Sequence, residues 1–214
     1  MAVCGPVRSQ LIASSTFDVS DEGWRVGEYV VPSGEIIPCI MPSGGNPGGW
    51  IQTDDQFWWT AFRAPASFLG DRTSAFGGTL SFDIKSAYSD NIAYPGVVMG
   101  DGSVFIYREI GVPGADWETH VLTLNGSGGW RVTNSVLADL GAATDAHFLA
   151  VLKNLTLLHI SADWHSGIDD VGLDNVFLRG PNSSAPVPEP GAVTTALAGA
   201  AVFGAVWRRR LRRG

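Results

Sequence analysis

Residues 79–87, TLSFDIKSA, place Leu80, Phe82 and Ile84 on one face of an extended chain and Ser81, Asp83 and Lys85 on the other. Period-two alternation can bury one face only as a strand in a sheet, because a helix would scatter the same residues around its axis. Residues 94–99 and 104–109 flank Gly100-Asp101-Gly102, whose glycines suit the turn of a hairpin. Further strands are predicted at 24–31, 49–53, 57–62, 117–124, 156–163 and 173–178. One helix is predicted over 145–154, where Thr144 or Asp145 can cap the first turn and Phe148, Leu149, Leu152 and Leu155 return at helical spacing. Many short strands, 27 Gly, 12 Pro and only 16 % charged residues predict an all-β sandwich or barrel closed at one end by that helix.

The charge is unevenly distributed. The chain carries 14 Lys and Arg against 21 Asp and Glu, and five of the basic residues, Arg208, Arg209, Arg210, Arg212 and Arg213, stand in its last seven positions. Residues 1–186 are therefore strongly acidic, about −11, and offer no basic stripe for a phosphate backbone. Nucleic acid is excluded as a partner on that ground, while carboxylate-rich loops suit divalent cations. Cys4 and Cys39 form neither a disulfide framework nor a metal-ligand spacing, although in an oxidising compartment they could pair.

Past the last predicted strand the composition changes. Residues 180–186, GPNSSAP, read as a linker too rich in Pro and Ser to join a core. Residues 191–207 carry no charge and the arginines follow at once. A helix through Ala192, Leu197, Val202, Phe203, Val206 and Trp207 would be about 24 Å long against a hydrocarbon core of about 30 Å, so it reads as a short membrane anchor. The basic cluster holds its own end in the cytoplasm, which puts the β domain across the membrane. A buried core helix would have to be apolar on every side and end in five arginines. Residues 1–15 show no basic n-region, apolar h-region or small-residue cleavage site, and are expected to be a leader remnant or disordered.

Val187-Pro188-Glu189-Pro190, a short apolar helix and an arginine cluster, in that order at the C-terminus, resemble the PEP-CTERM sorting signal of Gram-negative bacteria. The resemblance covers 187–214. It implies an exosortase as partner, transient anchoring in the inner membrane, and delivery to the cell surface or extracellular matrix of organisms that make exopolysaccharide and often biofilm.

Six stretches of the body resemble the laminin B domain, also called laminin domain IV. They are FDVSDEGW at 17–24, GNPGGWI at 45–51, APASFLGD at 64–71, GGTLSFD at 77–83, the helix-to-strand run 148–163, and GLDNVFL at 172–178. In the family's order over 16–179, they imply a jelly-roll sandwich related to carbohydrate-binding modules, with a structural or adhesive extracellular role and no known catalysis. Related jelly rolls commonly tie the first strand to the last with calcium. The matching positions here are Asp18, after Phe17, and Asp174, with Ser20, Asp21 or Glu22, backbone carbonyls and water to complete six to eight oxygen ligands. Solvated turn residues are the plainer reading of the same carboxylates.

Catalytic constellations are thin. His120, His147, His159 and His165 share no metal-binding spacing, no Ser lies in a GxSxG elbow, and no Gly-rich loop precedes a Lys as in a P-loop. Asp54-Asp55 and Asp169-Asp170 could supply a glycosidase pair by residue type, but neighbours on a strand point to opposite faces. The expected order is a non-catalytic scaffold or adhesion domain first, a carbohydrate-binding module acting on extracellular polysaccharide second, and a polysaccharide-active enzyme third. Exposed rings among Trp58, Trp59, Trp117, Trp130 and Trp164 would favour the second. Alternation in Trp58-Trp59 predicts one ring facing the core and the other facing outward or lying under a loop. If the domain is a carbohydrate module, the outward ring should form a platform with Trp117 or Trp130 on a neighbouring strand.

Overall fold

The computed structural model describes residues 8–29, 34–90, 95–134 and 137–183, and the folded unit treated below spans Ser9–Asn182. Its strands are, in chain order, β1 (Arg8–Ser15), β2 (Arg25–Glu28), β3 (Glu35–Ile36), β4 (Cys39–Gly45), β5 (Gly48–Thr53), β6 (Thr60–Arg63) and β7 (Thr79–Ser86). There follow β8 (Pro95–Gly100), β9 (Phe105–Glu109), β10 (Glu118–Thr123), β11 (Arg131–Thr133), the helix α1 (Asp145–Lys153), β12 (Leu157–Ser161) and β13 (Val171–Ser183). One sheet runs β10-β7-β13-β5-β4, with β1 also pairing β13; the other runs β11-β9-β8-β12-β6-β2-β3. This is the all-β jelly-roll sandwich with one short helix that the sequence predicts.

The alternation in β7 fixes how the sheets meet. Leu80 lies opposite Leu122 and Leu178, and Ile84 opposite Leu173, so adjacent strands turn their apolar residues to the same side. From the second sheet Val26, Phe62, Val97, Met99, Ile106, Leu158 and Ile160 meet them, and all are buried. Burying a side chain of this size contributes about 1.5–3 kcal/mol, so this layer is the main source of stability. The helix starts as predicted: Thr144 Oγ1 accepts from the His147 N–H while His147 Nδ1 accepts from the Thr144 N–H at 3.1 Å, which satisfies two of its free N–H groups. Phe148, Val151 and Leu152 then plug the sandwich, with Trp130 edge-on to Phe148 at 5.5 Å.

Some boundaries move. Residues 8–15, expected to lie outside the domain, form β1; Ala13 is buried, and Ser15 Oγ accepts from the indole N–H of Trp24 at 2.9 Å. At the other end β13 continues to Ser183 and takes in the start of the expected linker. The strand expected at 57–62 begins only at Thr60, because the Thr60 hydroxyl oxygen accepts from the Gln56 and Phe57 N–H groups and folds 56–59 into a turn. Three further strands unforeseen in the sequence, β3, β4 and β11, all lie at sheet edges, where alternation is not required and Pro42 costs no ladder bond. The predicted C-terminal helix and the whole sorting tail, 187–214, lie outside the described residues, as does Cys4. Cys39 is exposed as a free thiol. Among the described residues no helix is long and apolar enough to cross a membrane.

Candidate functional site: two carboxylate clusters

The first cluster surrounds the β4–β5 turn. Asp174 sits where β13 bulges: its pairing with β7 shifts register between Asp174 and Phe177, and Asn175 takes a φ of 50°. The bulge turns both residues toward the turn. The Asn46 N–H donates to Asp174 Oδ2 and the Asn175 N–H to Asp174 Oδ1, both at 2.7 Å. Directly across the ladder from Asp174 lies Asp83, which receives Asn175 Nδ2 at 2.9 Å, Asn46 Nδ2 at 3.2 Å and the Thr119 hydroxyl at 2.6 Å. Asp18 reaches the same turn from the other side, accepting from the Gly49 N–H at 3.2 Å and the Thr16 hydroxyl at 3.1 Å. The turn must be glycine-rich for this approach: a Cβ on Gly45 would lie 2.6 Å from Asp174 Oδ2, and one on Gly48, at φ +92°, would collide with Asp18 Oδ1.

Asp174 is wholly buried, and burial pushes its pKa up to about 6. The two backbone N–H groups pull it down, while the charges of Asp83 and Asp18 push it up again. The structure thus brings Asp18 and Asp174 together at one turn and adds Asp83. It keeps the other expected ligands apart: Glu22 accepts from the Thr16 and Phe17 N–H groups, Ser20 from the Glu22 N–H, and Asp21 pairs with Arg25 at 3.0 Å. The hard oxygens match calcium chemically, and none of the ion pairs among the described residues involves Asp18, Asp83 or Asp174. Among those residues, however, no three His, Cys, Asp or Glu side chains converge to hold a metal.

The second cluster lies where three loops meet at one end of the sandwich: β5–β6, β7–β8 and β12–β13. The β5–β6 and β12–β13 loops bound a cleft of about 540 Å³ lined by Asp55, Trp58, Trp59, Asp163, His165 and the Ser166-Gly167 turn. Trp58 is 86 % exposed on the 56–59 turn. The turn is braced by the Trp59 N–H on Glu28 Oε1 at 3.0 Å and the Thr60 hydroxyl on Asp55 Oδ1 at 3.2 Å. Ser166 ties the loops by donating its N–H and hydroxyl to Asp90 at 2.9 and 2.8 Å. Exposed Tyr88 stands with its ring 6.2 Å from that of His165.

Burial raises the Asp163 pKa to about 7, and the charges of Asp169 and Asp55 push the same way. Burial likewise raises Asp169 to about 6, against the pull of the Trp164 and His165 N–H groups. Asp169 Oδ1, His165 Nδ1 and the indole N–H of Trp164 have no hydrogen-bond partner among the described residues. The Asp169-Asp170 dipeptide is split: Asp169 lies beside Asp163, whereas Asp170 accepts a bond from Gln52 Nε2. Both Asp-Asp dipeptides stand in loops and not on strands, and Asp54 and Asp55 are both exposed.

The predicted aromatic platform is absent. Trp130 and Trp164 are buried, and Trp117 stands elsewhere, donating to Gly44 O at 2.9 Å and meeting Trp50 edge-on at 5.4 Å. Lys85 Nζ lies over both rings, at 3.9 and 4.6 Å from their centroids. Of the Trp58-Trp59 pair, Trp58 faces out and Trp59 is half-buried, but on a turn and not on a strand. Asp83, Tyr88 and Asp163 carried no signal of their own in the sequence, because only the β13 bulge and the meeting of the loops make them neighbours.

The family model for laminin B (Domain IV) matches residues 61–190. The chain belongs to the laminin B family. A second model, the PEP-CTERM protein-sorting motif, matches residues 186–210, so the laminin B domain is followed directly by the signal of an exported, exosortase-sorted protein. Among solved structures, the L4b domain of human laminin alpha-2 superposes with a TM-score of 0.63 at 14 % identity, covering 80 % of this chain and 98 % of that one. An exo-beta-agarase superposes with a TM-score of 0.51 at 12 % identity, covering 85 % of this chain but 26 % of the enzyme. A family 11 carbohydrate-binding module from Clostridium thermocellum gives a TM-score of 0.43 at 19 % identity, covering 84 % and 99 %. No curated protein matches the chain. The likenesses establish the laminin B sandwich.

Proposed function

We propose that this protein is displayed at the bacterial cell surface or in its matrix, where the laminin B domain acts as a structural or adhesive module without catalysis. The observation that carries the reading is the direct succession of a laminin B domain and an exosortase sorting motif. In this reading the apolar stretch from Ala192 to Trp207 anchors the chain transiently in the inner membrane, Arg208–Arg213 stay cytoplasmic, and the exosortase acts near Pro188-Glu189-Pro190.

Calcium is part of the proposal. Asp18 and Asp174, with carbonyls of the turn, would hold it, and the ion would neutralise the carboxylates that crowd there. Support for it is that Asp18 and Asp174 reach the β4–β5 turn from two sides, each accepting a backbone N–H there, and that neither forms an ion pair among the described residues. Membrane fractionation tests the display: the full chain should sediment with membranes, and a chain ending at Ser184 should stay soluble. Equal soluble behaviour of both would overturn the anchor.

A further inference from the structure

The two clusters hold comparable charge, but only the second leaves polar atoms unanswered beside an exposed aromatic ring. Asp163 is 8 % exposed at the floor of the cleft, held by the Thr60 N–H, and Asp169 is wholly buried behind it. Buried polar atoms are nearly always hydrogen-bonded. Here His165 Nδ1, on a residue that lines the cleft, is left over, as are Trp164 Nε1 and Asp169 Oδ1 in the same loop, on residues that do not line it. Trp58 has no packing reason to be where it is: 86 % of it is exposed, on a turn made rigid by four hydrogen bonds. Tyr88, whose ring stands near that of His165, and Ile168, next to Gly167, are also exposed, at 53 and 75 %.

We infer that this loop-end cleft is a saccharide subsite that takes a neutral pyranose unit of an extracellular polysaccharide. It deepens the adhesive reading, and rests on it, by naming what the domain adheres to. A pyranose is amphipathic in the way the cleft is: its C–H face lies flat on an indole ring, and its edge carries hydroxyls that both donate and accept. Trp58 supplies the face. Asp163 and Asp55 accept from the edge, and a hydroxyl or a bridging water seated on the floor answers His165. The same carboxylates exclude uronates and sulfated sugars, because an anionic ring would enter a site already surrounded by Asp55, Asp90, Asp163 and Asp169. An open cleft bounded by loops, with no enclosed end, admits a unit within a long chain as readily as a terminal one.

Affinity electrophoresis of the intact chain in mild detergent tests this, with mixed-linked β-glucan and galactomannan as neutral polymers and alginate as the anionic control. Migration should be retarded in at least one neutral gel and not in alginate. Trp58→Ala should weaken that retardation about tenfold, and Asp163→Asn should weaken it with the fold, read by circular dichroism, unchanged. Retardation by alginate alone, or no retardation in either neutral gel, overturns the inference. Retardation in a neutral gel that survives Trp58→Ala also overturns it, since it would place the ligand on another face such as Trp50 and Trp117. In each of these cases membrane fractionation still judges surface display separately.

Discussion

The β4–β5 turn and the loop-end cleft are built from the same material, clustered carboxylates, yet they are finished differently. At the turn every oxygen of Asp18, Asp83 and Asp174 receives a backbone N–H, a hydroxyl or an Asn amide. In the cleft His165 Nδ1 has no partner, nor has Asp169 Oδ1 in the same loop, and an indole ring stands in solvent. A closed hydrogen-bond network rigidifies a fold, whereas an open one beside an aromatic surface is costly to the fold and useful to a ligand. The turn is closed on itself, and the cleft is left open.

The sharpest way to break this contrast is Asp174→Ala. It leaves the Asn46 and Asn175 N–H groups without their acceptor in a wholly buried site at Asp174, and should lower the unfolding free energy by about 2 kcal/mol in urea titration. In the wild-type protein, calcium at a hundredfold excess over its dissociation constant should add about 2.7 kcal/mol relative to chelator, and Asp174→Ala should abolish the difference. Equal melting temperatures with calcium and chelator would leave the turn purely hydrogen-bonded and remove the ion from the account.

A smaller effect follows from pH. Asp163, Asp169 and Asp174 are held at about 7, 6 and 6, above their unfolded values, so in the folded state they keep protons that the unfolded chain has released. The stability they contribute is fully present below the unfolded value, and is lost as pH rises through 6 and 7. His159, pushed down to about 3 by burial, acts in the opposite sense below about 6.5, as does His120, which burial also lowers. Three carboxyl groups outweigh them, and the melting temperature should be higher at pH 5.5 than at pH 8 by roughly 5 °C. Asp169→Asn should raise stability at pH 8 by about 1 kcal/mol, because it removes a buried charge whose Oδ1 nothing satisfies. A loss of stability in that variant would show that the cleft, too, is a structural network. The smallest effect belongs to Trp58→Ala, which should change stability by no more than about 0.5 kcal/mol in thermal melting. A larger loss would mean that the ring supports the fold.

Much of the fold was legible because β7, β8, β9 and β12 carry their burial pattern in the residues themselves, and α1 announces its cap at Thr144. Edge strands such as β4, with Pro42 and three glycines nearby, have no such pattern to read. The site was half legible. Asp18 and Asp174 were found through the family's order of motifs, but Asp83 was hidden, since in the alternation of 79–87 it is simply the polar residue between Phe82 and Ile84. Treating 57–62 as one strand put Trp58 in a platform with Trp117 or Trp130. The hydroxyl of Thr60, which bends 56–59 into a turn, is the contact that no periodicity reveals, and it alone moves Trp58 to the cleft.

The central claim is that the cleft binds polysaccharide without cutting it, and the direct measurement is to incubate the protein with the neutral polymer that retards it and follow reducing ends over time. The account predicts retention of the polymer with no new reducing ends at any pH from 5 to 8. Release of reducing ends that disappears in Asp163→Asn would contradict it, and would make the carboxyl group held at about 7 a catalytic acid.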